Sequence, residues 1–338
     1  MKPIRKIAAF LATALVVVTA GWMAAPGMAN MAPPPLIKIR FVTDWRAQAE
    51  HGGFYQAVAR GFYAERGLDV EIIQGGPAVN VPQLLAAGAV EFGMGSNSFI
   101  PLNMVQEGIP VRAVAALFQK DPQVLICHPR DDINSIADMA GKPVMVSDAT
   151  IGAFWIWLRA KFGFRDTEIR KYTFNLAPFL TDTTAIQQGY LTSEPFLIRR
   201  DGGFEPEVYL LSDEGYPGYA NMILAREDTI VGNPALVQAF VMASREGWLD
   251  YLTGDPAPGN ALIREANPEM TDDVLAQAIV LLRENEIAGD VTQGLNVIGP
   301  MSEERWKAFF TLMAGNSVYP ADMDYARAFS LDFVPTVE

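Results

Sequence analysis

Cysteine is almost absent from this sequence of 338 residues, which contains only Cys127. One thiol excludes a disulfide within the chain and any metal site built from several cysteines. We expect Cys127 to be a small buried side chain of the core. Histidine is nearly as rare, with His51 and His128, and neither has a cysteine or aspartate at the spacing of a zinc site. The sequence therefore predicts no metal centre.

Basic residues are also fewer than acidic ones. The chain has 26 lysine and arginine residues against 39 aspartate and glutamate residues, which gives a formal net charge of −13 at pH 7. An acidic surface argues against nucleic acids and anionic membranes as binding partners. It suits a soluble protein of an extracytoplasmic space.

Motifs of covalent and metal-assisted catalysis are missing as well. The sequence has no Gly-x-Ser-x-Gly, no His-Glu-x-x-His and no Cys-x-x-Cys. The paired carboxylates Glu303 and Glu304 stand at a predicted helix start, where negative charge favours the helix macrodipole. A P-loop is excluded because no Gly-Lys-Ser/Thr occurs. We therefore expect a protein that is not an enzyme and that carries no bound cofactor.

The first 29 residues are typical of a Sec export signal. Lys2, Arg5 and Lys6 precede an apolar run over 7–25, and the small residues at 27–29 fit a cleavage site. Cleavage after Ala29 leaves 309 residues and changes the net charge from −13 to −16, because the signal carries three positive side chains. The prediction is a periplasmic protein with no membrane insertion after cleavage. The run is nearly long enough to span a bilayer, so an uncleaved anchor is the alternative.

Strand and helix patterns alternate along the rest of the chain. This alternation predicts an α/β fold with parallel-type sheets flanked by helices. The predicted strands are 36–42, 69–73, 90–95, 111–118, 124–128, 144–146, 172–174, 190–196, 207–211 and 221–225. The predicted helices begin after 53 and after the cap at 96–97, and otherwise cover 81–87, 133–139, 153–162, 182–188, 234–252, 258–266, 271–287 and 302–314.

Two changes of composition divide the chain into lobes. We expect lobe 1 to contain residues 36–120 and 220–338, and lobe 2 to contain 121–219. The chain then crosses between the lobes twice, near 120 and near 220. Two crossings form a hinge, and the cleft between two lobes is a usual site for a ligand.

The loop over 43–55 joins the first predicted strand to the first helix. Ligands of open α/β sheets bind beyond the carboxyl ends of the strands. Here the loop offers Asp44, the indole of Trp45, the imidazole of His51 and the phenol of Tyr55. Gly52 and Gly53 lie where free helix N–H groups would face a ligand. The loop predicts a recognition site for a flat polar molecule; the alternatives are a core role for Trp45 and a structural role for His51.

Four further polar residues are candidates for the same cleft. Ser96 and Asn97 follow the third strand, where they can contact a ligand or only cap a helix. Thr150 lies in the polar loop 147–152, which is typical of a small polar or anionic pocket. Glu194 precedes Pro195 at a strand end, and its carboxylate can accept two hydrogen bonds from an amino-heterocycle or can be a surface group.

The segments 44–55, 61–63 and 67–70 carry a family resemblance. Asp44-Trp45, His51-Gly52-Gly53-Phe54-Tyr55, Gly61-Phe62-Tyr63 and Gly67-Leu68-Asp69-Val70 resemble the thiamine-pyrimidine-precursor proteins. One branch of that family contains periplasmic binding proteins of ABC importers, and the other contains yeast-type hydroxymethylpyrimidine phosphate synthases. The wider superfamily includes nitrate, sulfonate and taurine binders.

This resemblance implies the two-lobed type II periplasmic binding protein fold and an aromatic stack at Trp45. It also implies polar contacts at His51 and a carboxylate-to-aminopyrimidine pair at Glu194. The ligand is then a small aromatic heterocycle such as hydroxymethylpyrimidine or formylaminopyrimidine, and the partners are an ABC permease with its ATPase. We expect a monomer. A sulfonate, taurine, nitrate or riboflavin binder is the alternative.

The enzyme branch fits this sequence poorly. Those synthases are understood to consume a histidine of their own beside a lysine-bound pyridoxal phosphate, and they carry a cysteine-rich run. Residues 92–98 contain neither lysine nor histidine, and the chain has one cysteine. The resemblance therefore favours the binding proteins.

Overall fold

The computed structural model describes residues 35–76 and 79–335. The predicted export signal, and with it the alternative of an uncleaved anchor, lies outside these residues. Within the described ranges, no helix is both long and apolar enough to cross a bilayer.

Five strands form the first sheet, in the order β2-β1-β3-β10-β4. Strands β1, β2 and β3 run parallel, whereas β10 lies antiparallel between β3 and β4. Their bounds are β1 Ile37–Val42, β2 Leu68–Ile73, β3 Phe92–Asn97, β4 Val111–Phe118 and β10 Ala220–Arg226.

Five more strands form the second sheet, in the order β7-β6-β8-β5-β9. Strands β6, β7 and β8 run parallel, and β5 lies antiparallel between β8 and β9. Their bounds are β5 Gln123–Cys127, β6 Val144–Val146, β7 Ile169–Lys171, β8 Ile186–Tyr190 and β9 Glu207–Leu210. Cys127 is buried in this sheet, as predicted.

The described helices pack on these sheets. They are α1 Gly52–Ala59, α2 Val81–Ala86, α3 Phe99–Gln106, α4 Asp148–Ile151, α5 Phe154–Phe162, α6 Ala177–Thr181, α7 Glu194–Gly202, α8 Glu227–Gly232, α9 Pro234–Thr253, α10 Ala257–Ala266, α11 Asp272–Glu284 and α12 Glu303–Gly315. The longest, α9, begins where the Asn233 side chain accepts a hydrogen bond from the Leu236 N–H, with proline at the first helical position.

The chain passes between the two sheets twice, after β4 and after β9, as the fold prediction requires. The guanidinium of Arg305 donates hydrogen bonds to the carbonyls of Gln119, Pro217 and Gly218, and so ties both passages to α12. This is the two-lobed α/β arrangement with hinge crossings. The lobe bounds 36–120 with 220–338 and 121–219 remain predictions.

Four local predictions between residues 133 and 196 were wrong. Residues 182–188 were expected to be helical, but β8 begins at Ile186 because it pairs with β5 and β6 on its two sides. A strand was expected over 172–174 and another over 190–196, whereas β7 ends at Lys171 and α7 begins at Glu194. Only a short 3₁₀ turn, Ile136–Met139, forms within the helix expected over 133–139. Tertiary pairing decided these elements, and local propensity did not.

Ser96 and Asn97 also differ from the expected helix cap, since both belong to β3. Asn97 pairs with Ala220 of β10, and its side chain accepts a hydrogen bond from the Phe99 N–H at 3.0 Å. Ser98 occupies the cap position of α3 without a side-chain capping bond.

The glycine pair at the start of α1 is explained by helix packing. A Cβ atom on Gly52 would lie 2.0 Å from the Tyr251 ring, and one on Gly53 would lie 2.2 Å from Cγ of Trp248. Both aromatic residues belong to α9, so α1 and α9 approach each other more closely than side chains on α1 would allow. Gly52 and Gly53 therefore serve this contact, and the expectation that their backbone N–H groups face a ligand stays a prediction.

Candidate ligand-binding site

The loop that follows β1 is held by hydrogen bonds to its neighbours. The Thr43 hydroxyl donates to the carbonyl of Trp45 at 2.8 Å and accepts from the Gly75 N–H at 3.1 Å. Asn267 donates its side-chain N–H to the carbonyl of Ala47 at 2.8 Å. These bonds fix the backbone on both sides of Trp45, so its ring is presented from a rigid support.

Asp44, which is partly exposed, pairs with the buried His51 within this loop. Nε2 of His51 lies 3.2 Å from Oδ1 of Asp44, and the His51 side chain is 1% exposed. Burial alone raises the pKa of Asp44, but hydrogen bonds with His51 and Ser96 outweigh burial and leave the pKa below its ordinary value. An ionised Asp44 accepts a hydrogen bond from the protonated Nε2 of His51. The other ring nitrogen, Nδ1, is then buried with no partner in the described structure.

Glu50 is a second carboxylate on the same loop, and its side chain is buried. Its carboxylate accepts a hydrogen bond from the hydroxyl of Thr192, and its carbonyl accepts one from the Asn221 side chain at 2.6 Å. Burial raises the pKa of Glu50, and the bond from Thr192 lowers it by less. Thr192 follows β8, so this bond joins the loop of the first sheet to the second sheet.

Glu194 is the third carboxylate, at the first position of α7. Its Oε2 accepts a hydrogen bond from the Tyr190 N–H at 2.7 Å, and its Oε1 accepts one from the Tyr172 hydroxyl at 3.1 Å. Burial raises the pKa of Glu194 despite these bonds, and the negative charge of Glu50 acts in the same direction. A Cβ on Gly189 would lie 3.1 Å from Cβ of Glu194, so the strand leaves room for the returning glutamate.

An aromatic chain connects Trp45 to Glu194. The ring centroids of Trp45 and Phe174 are 5.5 Å apart, and those of Phe174 and Tyr172 are 5.2 Å apart. Tyr172 in turn donates to Glu194. The two residues predicted to hold a planar ligand thus lie at opposite ends of one continuous set of contacts that passes from the first sheet to the second.

The carboxyl ends of parallel strands supply most of this set. Asp44 and Trp45 follow β1, and Ser96 is the penultimate residue of β3, in the first sheet. In the second sheet Tyr172 and Phe174 follow β7, and Thr192 and Glu194 follow β8. This placement is the one expected for a ligand site of α/β sheets.

Of the predicted site residues, one lies in a different groove and two make hydrogen bonds to other residues of the protein. Tyr55 lies in a groove between α1, β2 and α10, with Val58, Val70 and Leu262 beside it, and burial raises the pKa of its hydroxyl to about 12. Thr150 donates to Oε1 of Gln188 at 2.7 Å. Asn97 bonds the backbone of α3, as described above.

Sequence reasoning did not identify several residues of this region. They are Glu50, Tyr172, Phe174, Gln187 and Tyr190. Gln187 is fully buried, and neither atom of its side-chain amide has a hydrogen-bond partner in the described part of the chain. Burial raises the pKa of Tyr190 well above its ordinary value, and the charges of Asp121, Glu50 and Asp44 raise it further. A weak signal was available only for Glu50, which stands next to His51 in the recognition loop.

The region is acidic and lacks paired cations. Among the described residues, Asp44 makes its only ion pair with His51, and neither Glu50 nor Glu194 makes one. Carboxylates without lysine or arginine partners favour a ligand that donates hydrogen bonds.

Known proteins resemble this chain in sequence and in fold. The chain is 25% identical over 312 residues to the "Riboflavin-binding protein RibY" of Chloroflexus aurantiacus, which covers 90% of this chain and 88% of that protein. It is 22% identical over 256 residues to the "Formylaminopyrimidine-binding protein" of Halalkalibacterium halodurans, which covers 73% of this chain and 77% of that protein.

A solved structure shows the same architecture. The periplasmic aliphatic sulphonate binding protein SsuA from Escherichia coli superposes with a TM-score of 0.65 at 14% identity, over 89% of this chain and 94% of that one. The periplasmic binding protein fold predicted from the sequence is confirmed. Residues 48–257 match the family described as "NMT1/THI5 like", and the chain therefore belongs to the NMT1/THI5-like family.

Proposed function

We propose that this protein is the periplasmic solute-binding component of an ABC importer and that it binds a small aromatic nitrogen heterocycle. The observation that carries the proposal is the connection of Trp45, which follows β1 of the first sheet, with the partly buried Glu194, which follows β8 of the second sheet, through Phe174 and Tyr172. An indole supplies a stacking surface, and a carboxylate supplies two acceptors for ring N–H or amino groups. The names of the two relatives support this ligand class.

A heterocycle of this kind brings hydrogen-bond donors to carboxylates that lack a lysine or arginine partner among the described residues. Taking an acceptor out of water without a donor costs about 1–3 kcal/mol, and more for a charged group. The carboxylate oxygens already accept bonds from Thr192, Tyr172 and Tyr190, and each oxygen can accept a further one from an amino or ring N–H group of the ligand. A ligand with several such groups therefore gains more in this cleft than one that only accepts hydrogen bonds.

Sulfonates and nitrate present the opposite chemistry. They are anions whose oxygens accept hydrogen bonds, and Asp44, Glu50 and Glu194 would repel them. The likeness to the sulphonate-binding protein is a likeness of fold. Riboflavin remains the second candidate, because its ring is planar and carries a donor, and because the relative named for riboflavin matches along most of the chain.

The two-sheet arrangement supports closure of the two lobes over the ligand. Contacts such as Glu50 with Thr192 join the two sheets, so a ligand that touches both sides favours the closed form by its differential affinity. The closed form would then dock on a permease with its ATPase. The acidic composition and the predicted export signal favour a soluble periplasmic monomer.

An enzyme is the less favoured reading. The synthase chemistry would need a lysine for pyridoxal phosphate with a histidine next to it, and residues 92–98 supply neither. Addition of pyridoxal phosphate should therefore produce no aldimine absorbance.

A thermal-shift panel on the mature protein tests the proposal. The ligands are hydroxymethylpyrimidine, formylaminopyrimidine, thiamine, riboflavin, taurine and nitrate. Stabilisation should appear with one or more of the heterocycles and should rise with ligand concentration by mass action. Stabilisation by taurine or nitrate alone would contradict the proposal.

A further inference from the structure

Phe174 has an unusual backbone for an aromatic residue. Its φ angle is 60°, in the left-handed region that bulky side chains rarely adopt. Such a conformation costs on the order of 1–3 kcal/mol and persists where the surrounding structure requires it. The side chain of Phe174 is 57% exposed.

Core packing does not explain this strain. A ring that keeps more than half of its surface in water gains little from burial. Its aromatic contacts lie at the candidate site: Trp45 after β1 at 5.5 Å and Tyr172 after β7 at 5.2 Å, measured between ring centroids. The strained backbone therefore directs an exposed aromatic ring at the residue proposed to stack on the ligand.

We propose that Phe174 is the second aromatic wall of the ligand site, so that the heterocycle is held between Trp45 and Phe174. This inference rests on the proposed function and extends it to a residue that the sequence did not indicate. The present separation of 5.5 Å leaves no room for a third ring, since two van der Waals contacts of 3.5–4.0 Å require about 7 Å. Phe174 touches Trp45 in place of the ligand and moves outward when the ligand enters.

The exposed position of Phe174 makes this movement inexpensive. The solvent side of the ring has few contacts to lose, and Trp45 is held by the hydrogen bonds of its own loop. Trp45 is thus the fixed wall and Phe174 the adjustable one. Since release of the ligand requires Phe174 to move again, its loss should act mainly on the dissociation rate.

The variants Phe174→Ala and Phe174→Gly separate the ring from the backbone strain. Both remove the ring, but only glycine relieves the left-handed strain. Phe174→Tyr keeps an aromatic wall, and Val231→Ala is the control for loss of an exposed apolar side chain, because Val231 is 77% exposed on α8. Affinity and dissociation rate are measured by calorimetry and stopped-flow fluorescence with riboflavin and with hydroxymethylpyrimidine.

We expect the alanine and glycine variants to bind about 3- to 10-fold more weakly, the range of an aromatic pair, with most of the change in the dissociation rate. The tyrosine and Val231 variants should bind as the wild type does. The glycine variant should melt no lower than the wild type, which excludes unfolding as the cause of weaker binding.

Two results would overturn the role of Phe174. One is wild-type affinity in both the alanine and the glycine variant. The other is a lower melting temperature in both, with binding reduced only as far as folding is lost. If the wild-type protein binds neither probe while taurine or nitrate stabilises it, the proposed function itself fails, which is a different outcome.

Discussion

The hydroxyl of Thr192 donates a hydrogen bond to the buried carboxylate of Glu50, and the two residues follow strands of different sheets. The carbonyl of Thr192 also accepts a hydrogen bond from Gln277 of α11 at 2.7 Å. Glu50 and Gln277 therefore hold Thr192 from two sides. This contact is specific to the arrangement in which the sheets approach each other.

Thr192→Val removes the hydroxyl and keeps the shape of the side chain. Glu50 then stays buried without its donor, which costs about 1–3 kcal/mol in the closed arrangement. We expect the ligand-free protein to open, with a larger radius of gyration in small-angle scattering, and ligand affinity to fall by about tenfold. Ser193→Ala is the control, because the Ser193 side chain makes no capping bond to α7. An unchanged radius and affinity would show that the contact does not hold the lobes.

Glu194→Gln tests the partly buried carboxylate that follows β8 of the second sheet. Burial raises the pKa of Glu194 above its ordinary value of 4.5, so the folded protein retains its proton to higher pH than the unfolded chain does. Wild-type stability is therefore lost as the pH rises above about 4.5 and through the raised pKa.

The glutamine variant cannot ionise, so it should melt higher than the wild type at pH 8 and bind the heterocycle more weakly. Glu205→Gln, an exposed glutamate just beyond α7, should change neither property. A glutamine variant that binds as the wild type does would remove Glu194 from the site.

Asp121 offers a pH test in the segment between β4 and β5. It is 3% exposed, and burial raises its pKa from 3.8 to about 7, while its Oδ1 accepts the Gln123 N–H at 3.1 Å. Between pH 4 and 7 the unfolded chain loses this proton and the folded chain keeps it, so stability falls over that range.

Asp121→Asn keeps an acceptor for Gln123 and cannot ionise. At pH 8 it should be more stable than the wild type by up to about 4 kcal/mol, and at pH 4 the two should be equal, as judged by urea unfolding. The control is Asp213→Asn, whose carboxylate is more than half exposed beside Lys120. A stability difference that does not depend on pH would contradict the burial of Asp121.

Gly53→Ala tests the packing that positions the recognition loop. The added methyl group would lie 2.2 Å from Cγ of Trp248, and the two helices must separate to admit it. We expect a loss of about 1–3 kcal/mol in the free energy of unfolding. Gly152→Ala should be nearly neutral, because no atom lies within 4 Å of its new methyl group. Equal stability of both variants would show that α1 and α9 do not require the glycine.

The sequence predicted the fold where patterns were periodic. The alternation of Ile37, Ile39 and Phe41 indicated β1, and the apolar run over 111–118 indicated β4, because both strands are specified by their own side chains. Strand β8 carries Gln187 and Gln188, which have no such pattern. Its place between β5 and β6 is decided by partners that are distant in the sequence, so the helix expected over 182–188 did not form.

In the candidate site, too, some residues could be predicted from local sequence, and others depend on contacts that are distant in the chain. Trp45 and His51 could be predicted because a loop after a strand is where ligands bind, and the chemistry of an indole and an imidazole is visible in the sequence. Burial of Glu50 depends on Thr192, 142 positions away in the chain. The role proposed for Phe174 depends on a backbone angle and on contact with another sheet, and neither is encoded by its neighbours.

Calorimetric titration of Trp45→Ala beside the wild-type protein tests the central claim most directly. With riboflavin and hydroxymethylpyrimidine as probes, the wild type should bind at least one, and the variant should bind that probe at least about 30-fold more weakly, since a buried aromatic contact is lost. The variant should unfold within about 1 kcal/mol of the wild type, because Trp45 lies on a loop outside the core. Undiminished binding by a folded Trp45→Ala protein would contradict the account.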